Sequence, residues 1–274
     1  GARSDPCLVC AFMGSYAKEE AVSRAKILAV SCTHAPFTPE QTIDWLLGVV
    51  EREAKDITHF IHLGDLFDAS AASVHPNEHT HTLREEYDQA ASLLSSIRKI
   101  LPAECKRVIT MGNHDDNLRV SDPRRIPRAL RELINPHLHH SEFSNWQWLP
   151  YEKSERGCYK VGQCVFYHGF DAGATSDETE ALQFNNLTGC DPWRLFVRGH
   201  THRPVDPTQC MRSRKIPLPW WYMNVGTCGP MKPDYMQRKD TSQWGSAVGI
   251  IECLTDRPDR MRTRNWSARL ERML

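Results

Sequence analysis

The chain has 274 residues, of which 40% are hydrophobic and 25% are charged, as in an ordinary globular protein. Its 34 Lys and Arg residues balance 34 Asp and Glu residues. This balance excludes a global basic field that would attract nucleic acid or an anionic membrane, although a local basic groove stays open. No apolar stretch approaches the roughly 20 residues needed to span a bilayer. The ten cysteines are dispersed, so we expect a reducing, cytoplasmic compartment.

The first half of the chain alternates between strand and helix patterns. Residues 1–24 are interpreted as an N-terminal extension, and a buried strand is expected to follow them. Thr38 as N-cap and Pro39 at the first helical position predict the start of a helix. The expected order is strand 26–31, helix to about Ala54, strand 57–63, helix 83–100 and strand 107–111. This alternation is typical of parallel βαβ units.

The second half of the chain is richer in strand pairs. The dipeptide Gly162-Gln163 separates two short apolar runs and predicts a hairpin turn. Further elements are expected as a helix near 127–134, a helix near 177–186 and strands over 194–199, 220–226 and 247–253. We therefore expect an α/β (α+β) fold in one domain over residues 25–274, with two mixed sheets packed face to face and helices outside.

Five of the expected strands end in loops that carry metal-ligand residue types. The loops hold Cys32 and His34 after the first strand, Asp65 and Asp68 after the second, Asn113 and His114 after the third, His168 after a fourth, and His200 and His202 after a fifth. Each loop alone can be explained by a structural role, as a turn, a helix cap or a hydrogen-bonded histidine. Five such loops in one chain favour a shared site along one edge of the sheets.

This order of motifs resembles the calcineurin-like metallophosphoesterases. Their pattern runs Asp-x-His, Gly-Asp-x-x-Asp, Gly-Asn-His-Asp/Glu, His and Gly-His-x-His, and the likeness covers residues 26–253. Asn224 to Thr227 also looks like the Asn-x-Gly-Ser/Thr turn that follows the last histidine pair in that family. The resemblance implies a four-layered αββα sandwich and a hydrolase that uses two divalent or trivalent metal ions (Mn, Zn or Fe).

The resemblance also implies a role for each motif residue, with Asp65 bridging the two metals. The implied ligands are Cys32, His34, Asp65 and His202 for the first metal, and Asp65, Asn113, His168 and His200 for the second. His114 would be a general acid or an electrostatic partner of the phosphate. Asp68 would accept a hydrogen bond from His114 and keep it protonated, or would cap the next segment. Ala69 stands where protein phosphatases have an arginine, so the sequence gives little support to a protein phosphatase.

Cys32 is the departure from the pattern, because the family has an aspartate there. A thiolate carries the same charge as a carboxylate, but its bond is longer, about 2.3 Å to zinc, and the site becomes softer. Three alternatives stay open. Cys32 ligates and favours zinc or iron, or it does not ligate and the first site is weak, or one metal binds with little catalysis. Because the other motif residues are intact, we expect an enzyme.

We therefore expect a metal-dependent phosphoesterase that hydrolyses a phosphomonoester or phosphodiester. Nucleotides and nucleic acids are among the possible substrates, and neither a membrane nor an obligate protein partner is expected. The alternatives are a DNA or RNA nuclease of the same superfamily, or a catalytically weak metal-binding scaffold. A nuclease is less favoured because the chain has no excess of basic residues. The scaffold alternative rests on Cys32 alone. Loops 68–83 and 206–218 are expected to set the specificity.

Overall fold

The computed structural model of the protein describes residues 23–73, 81–119, 132–189, 192–212, 216–233, 236, 239–255 and 263–274. The expected N-terminal extension, residues 1–24, lies almost wholly outside this part. The helix expected near 127–134 also falls mostly outside it, and a short 3-10 turn occupies Glu132–Ile134. Among the described residues no helix has the length and apolarity that crossing a membrane requires.

A six-stranded sheet carries the first three site loops. Its strands are β1 (Arg24–Val30), β2 (His59–His62), β3 (Lys106–Thr110), β4 (Gln147–Leu149), β10 (Ala247–Leu254) and β11 (Trp266–Arg272), in the spatial order β11-β10-β1-β2-β3-β4. Strands β1 to β4 are parallel to one another, whereas β10 is antiparallel to both β1 and β11. The carboxyl ends of β1, β2 and β3 therefore meet at one edge.

A five-stranded sheet carries the other two site loops. Its strands are β5 (Tyr159–Val161), β6 (Cys164–Phe166), β7 (Arg194–Arg198), β8 (Pro204–Arg212) and β9 (Ile216–Val225), in the order β5-β6-β7-β9-β8. Strands β6, β7 and β9 are parallel, and β8 is an antiparallel edge strand. Strands β5 and β6 form the predicted hairpin, in which Gly162 has a φ of +54°. The hairpin prediction is confirmed.

Helices cover the outer faces of both sheets. They are α1 (Glu40–Glu53), α2 (Leu83–Ile100), α3 (Asn113–Arg119), α4 (Pro136–His139) and α5 (Ser176–Leu187). Adjacent residues of one strand point to opposite faces: Leu28 packs with the core under α1 and α2, and Ile27 packs between the sheets. On the far side Phe184 of α5 stacks on Tyr167, with ring centroids 4.0 Å apart. The predicted αββα sandwich is confirmed.

The two long helices differ in how well the sequence predicted their starts. Helix α2 has the predicted bounds, and Thr82 forms a reciprocal capping box with Glu85. Helix α1 begins at Glu40, with Pro39 at the N-cap position, so the prediction of Thr38 as N-cap is wrong. The Thr38 hydroxyl instead donates to the Thr33 carbonyl at 2.5 Å. It thereby stabilises the loop that carries the first two candidate ligands.

Candidate active site

All the predicted site residues lie together at the carboxyl edge of the two sheets, in the loops after β1, β2, β6 and β7 and at the start of α3 after β3. Five of them have a left-handed backbone, with φ between 49° and 67°: Cys32, His34, Asp65, His200 and His202. Non-glycine residues rarely adopt this conformation, because the Cβ atom crowds the following carbonyl. Such concentrated strain is typical of a functional site.

The first group of candidate ligands comprises Cys32, His34 and His202. One ligand atom from each of the three buried residues lies within 4.8 Å of the other two. His34 Nε2 and His202 Nε2 are 3.3 Å apart. Burial, together with the nearby His34, holds the pKa of His202 well below its usual range, so its imidazole is neutral. A neutral imidazole keeps the lone pair that a metal ligand needs.

Cys32 itself is fully buried and held by its backbone. Its N–H donates to the Gly64 carbonyl at 2.9 Å, and its carbonyl accepts from Thr227 Oγ1 at 2.8 Å. Burial, reinforced by the charge of Asp65, raises the pKa of the Cys32 thiol well above its usual value. The thiol is therefore neutral unless a bound cation takes the place of its proton.

The second group surrounds His168 Nε2. This atom lies 3.2 Å from Asp65 Oδ2, 3.3 Å from Asn113 Oδ1 and 3.1 Å from His200 Nδ1. His168 Nδ1 donates to the Leu63 carbonyl at 2.5 Å, and this contact directs Nε2 toward two acceptor oxygens, those of Asp65 and Asn113. A cation satisfies such an arrangement, and the residues therefore fit the metal centre that the sequence implies.

Asp65 lies between the two groups. Its Oδ1 accepts from the His114 backbone N–H at 3.0 Å, whereas its Oδ2 is 3.2 Å from His168 Nε2 and 3.9 Å from His34 Nε2. Burial by itself would raise the pKa of Asp65, but the facing imidazoles of His168 and His114 hold it well below its usual range. The carboxylate is ionised and borders both groups, which is the position a bridging ligand requires.

His114 and Asp68 are paired differently from the expectation. His114 Nδ1 donates to the backbone carbonyl of Asp68 at 2.7 Å, and the Asp68 carboxylate lies 3.6 Å from Nδ1. The same carboxylate oxygen is 3.5 Å from His34 Nδ1. Burial opposes protonation of His114, but the charges of Asp65 and Asp68 outweigh it and raise the pKa of His114. The carboxylate thus acts on His114 by its charge, and the carbonyl holds the ring.

Two further residues brace the site loops, and sequence reasoning gave them no role. Asp115 accepts from the Phe67 N–H at 3.0 Å and from the Gly112 N–H at 2.9 Å, and so ties the loop after β2 to the loop after β3. Asn224 donates to the Gly199 carbonyl and to Thr201 Oγ1 under the turn that bears His200 and His202. The signal for both was present in the recognised motifs, because Asp115 ends the Gly-Asn-His-Asp motif and Asn224 begins the Asn-x-Gly-Thr turn.

Aromatic rings border the histidines. The ring of Tyr151 stacks on that of Phe170, with centroids 4.6 Å apart, and meets His168 edge-on at 5.9 Å. Trp244 meets His202 edge-on at 4.2 Å. These contacts limit the water around the imidazoles, which strengthens electrostatic interactions within the site. No sequence pattern indicated either contact, because the partners are separated by many residues.

The chain was compared with known proteins. A comparison with curated protein sequences finds no match. The chain is similar to the solved structure of hypothetical protein PH1004 from Pyrococcus horikoshii OT3, with 10% identity, 90% of this chain and 87% of that chain covered, and a TM-score of 0.47. It is also similar to nuclease MPE from Pseudomonas putida, with 16% identity, 82% and 84% covered, and a TM-score of 0.38. For PhoD the values are 10%, 92% and 69%, and 0.42.

A sequence model of one protein family matches most of the chain. It describes the calcineurin-like phosphoesterases, and it covers residues 25–204, which include all the candidate ligands. The matched range contains β2 to β7, all of β1 except Arg24, and every loop of the candidate site. The chain therefore belongs to the calcineurin-like phosphoesterase family.

Proposed function

We propose that the protein is a metal-dependent hydrolase of phosphomonoesters or phosphodiesters, with a dinuclear metal site that includes Cys32. The observation that carries this proposal is the convergence of two ligand groups on the ionised carboxylate of Asp65. Membership of the family supports phosphoester hydrolysis in general. Two bound metals would neutralise the phosphate and lower the pKa of a bound water.

The proposed ligand sets follow the two groups around Asp65. The first metal would be held by Cys32, His34, Asp65 and His202, and the second by Asp65, Asn113, His168 and His200. Imidazole and oxygen ligands suit manganese, iron or zinc, and a thiolate shifts the first site toward zinc or iron. Cys32 would release its proton on binding, which makes the affinity of that site depend on pH.

His114 is the proposed general acid. Its Nδ1 proton is engaged by the Asp68 carbonyl, so the proton at Nε2 of the imidazolium is the one available to a leaving-group oxygen. The carboxylates of Asp65 and Asp68 favour this protonated form. Its side chain is 25% exposed, against 3% for His34, so His114 is the more accessible of the two to a substrate. Asp68 acts through His114 and is a positioning residue.

A catalytically weak metal-binding scaffold is the second candidate, and the surroundings of Cys32 favour it. A thiol whose pKa is raised by burial and by Asp65 gives up its proton less readily than the aspartate of the family pattern. The first site would then bind its ion weakly and support little turnover. The two candidates make the same ligand assignment and differ in the rate of hydrolysis.

Turnover of bis-p-nitrophenyl phosphate tests the two candidates. Metal-stripped protein would receive manganese, zinc or iron, with His114→Ala as the matched inactive variant. Turnover that returns with metal and is lost in the variant supports the phosphoesterase. Folded protein that binds metal without turnover supports the scaffold. Salt-dependent binding to DNA or RNA would mark a nuclease within the same chemistry.

We also propose that residues 25–274 form one domain and that the protein works in the cytoplasm. The pairing of strands supports a single domain, because β10 and β11 complete the sheet that β1 to β4 begin. The seven cysteines of the described residues are all free thiols, which supports a reducing compartment. Fractionation of cells that produce a tagged form would test the location.

A further inference from the structure

A fully buried arginine lies directly beneath the second group of candidate ligands. Arg198 ends β7, two residues before His200, and its side chain has no exposed surface. Its Nη2 donates to the Asp171 carbonyl at 2.9 Å, in the loop that follows His168. Its Nη1 lies 3.1 Å from the Glu180 carboxylate and its Nε 3.5 Å from that of Asp177, both on α5. The guanidinium thus joins the two loops to one helix.

Glu180, on α5, also holds the loop that follows His168. Its fully buried carboxylate accepts from the backbone N–H groups of Phe170 and Asp171, at 2.9 and 2.6 Å. The loop after His168 is therefore held by a carbonyl contact to Arg198 and two amide contacts to Glu180. Charge-assisted hydrogen bonds of this kind are stronger than neutral ones, so the loop position is well defined.

Gly169 shows how close the guanidinium comes to the ligand loop. Its φ is +116°, and a Cβ atom at this position would lie 2.4 Å from Arg198 Nη2. The guanidinium therefore packs directly against the backbone of the residue next to His168. The N–H of Gly199, the residue after Arg198, donates to the His168 carbonyl at 3.0 Å. The positions of His168 and His200 are linked through these contacts.

The cost of burying these charges argues for a role beyond packing. Burial raises the pKa of Glu180, although the charge of Arg198 opposes that shift. A buried ion pair adds little net stability compared with apolar side chains of the same size, because both ions lose their hydration. What the pair does supply is a fixed geometry, and that geometry lies beneath two candidate metal ligands.

We propose that Arg198 is a positioning residue that, through Glu180 and Asp171, sets the separation of His168 and His200 and thereby the affinity for the second metal. This inference rests on the proposed assignment of those histidines. The first metal takes Cys32, His34 and Asp65 from the loops after β1 and β2, which Arg198 does not join, and only His202 from the loop after β7. Loss of the guanidinium is therefore expected to weaken one metal site selectively.

Calorimetric titration of the metal-free full chain with zinc or manganese tests the proposal. His34→Ala and His200→Ala identify the binding step of each site. In Arg198→Met the affinity for the second metal is expected to fall by about 10- to 100-fold, the usual effect of losing an outer-shell partner, with less than a threefold change at the first. Arg198→Lys keeps the charge but loses the planar fork, and only part of the affinity is expected to return.

Arg194→Met is the matched control, because Arg194 is a buried arginine on the same strand whose Nη1 donates to the Thr188 carbonyl at the other end of α5. It is expected to leave both affinities unchanged. Should Arg198→Met not fold, Arg198→Met with Glu180→Gln removes both charges and is expected to lose the second metal in the same way.

Equal weakening of both sites, or an unchanged second site in a folded variant, would overturn the positioning role while the proposed function stands. A wild-type chain that binds one metal would refute the dinuclear site and the inference together.

Discussion

Ser31 Oγ lies 2.9 Å from Cys32 Sγ, and both atoms are buried. The same hydroxyl donates to the Leu63 carbonyl at 3.3 Å, so its lone pairs are free to accept the thiol proton. A thiolate at this position would need the hydroxyl as a donor instead. The Ser31 hydroxyl can therefore accept from a Cys32 thiol or, after rotating, donate to a Cys32 thiolate. The chemistry of Cys32 decides which metals the site prefers.

Cys32→Asp is expected to move the metal preference from zinc or iron toward manganese. A carboxylate is a harder ligand than a thiolate, and the net charge of the site is unchanged. We expect the ratio of manganese- to zinc-supported turnover of bis-p-nitrophenyl phosphate to rise by about tenfold, one decade being a 1.4 kcal/mol difference. Cys228→Ser is the control, since Cys228 is a buried thiol in a neighbouring loop. An unchanged ratio would mean that Cys32 does not ligate.

His114→Ala is expected to lower kcat by roughly 10²- to 10⁴-fold while metal affinity changes less than threefold. The reason is that the side chain is proposed to supply a proton and to hold no metal. Steady-state kinetics and metal titration on the same preparation would measure both. His140→Ala, which removes an imidazole whose side chain is 38% exposed, is the control. Loss of metal in proportion to loss of activity would assign His114 as a ligand instead.

Gly112→Ala is expected to damage the site and the fold together. A Cβ atom at this position would lie 2.1 Å from Asp65 Oδ1 and 2.5 Å from the Asp65 backbone nitrogen. The loops must shift to admit it, at a cost of about 1–3 kcal/mol in unfolding free energy. Gly173→Ala is the matched control, because nothing lies within 4 Å of its Cβ position. Urea unfolding of both variants would measure the difference. Equal stability of the two would contradict the expected clash.

The stability of the protein is expected to fall between pH 6.5 and pH 4 in part because of His59. Burial, with the nearby charge of Lys106, lowers the pKa of His59 to about 4. The unfolded chain takes up a proton near pH 6.5 and the folded chain does so only near pH 4, so stability present above pH 6.5 is lost as the pH falls.

His59→Gln should reduce that loss by roughly 1–2 kcal/mol, a value that allows for solvent screening. Urea unfolding of the metal-free protein at pH 7.5 and pH 4.5 would measure it. Parallel losses in wild type and variant would show that His59 does not contribute.

The sequence was sufficient for the fold and for the location of the candidate site. Apolar runs that stop at Cys32, Asp65 and Asn113 indicated parallel strands, and the carboxyl ends of parallel strands meet at one edge. The turn at Gly162 and the cap at Thr82 were equally readable, because each depends on a few neighbouring residues. Strands β4, β8 and β11 were not predicted. All three lie at sheet edges, where burial is partial and the alternating pattern is weak.

Only the tertiary structure decided which atoms meet within the site. His114 donates to the carbonyl of Asp68 and not to its carboxylate, although the two residues are 46 positions apart in the chain. Arg198 and Glu180 form an ion pair beneath His168, although neither stands in a recognised motif. Sequence periodicity reports the local burial of each residue. Contacts between distant residues follow from strand order and sheet packing, and these exist only when the whole chain has folded.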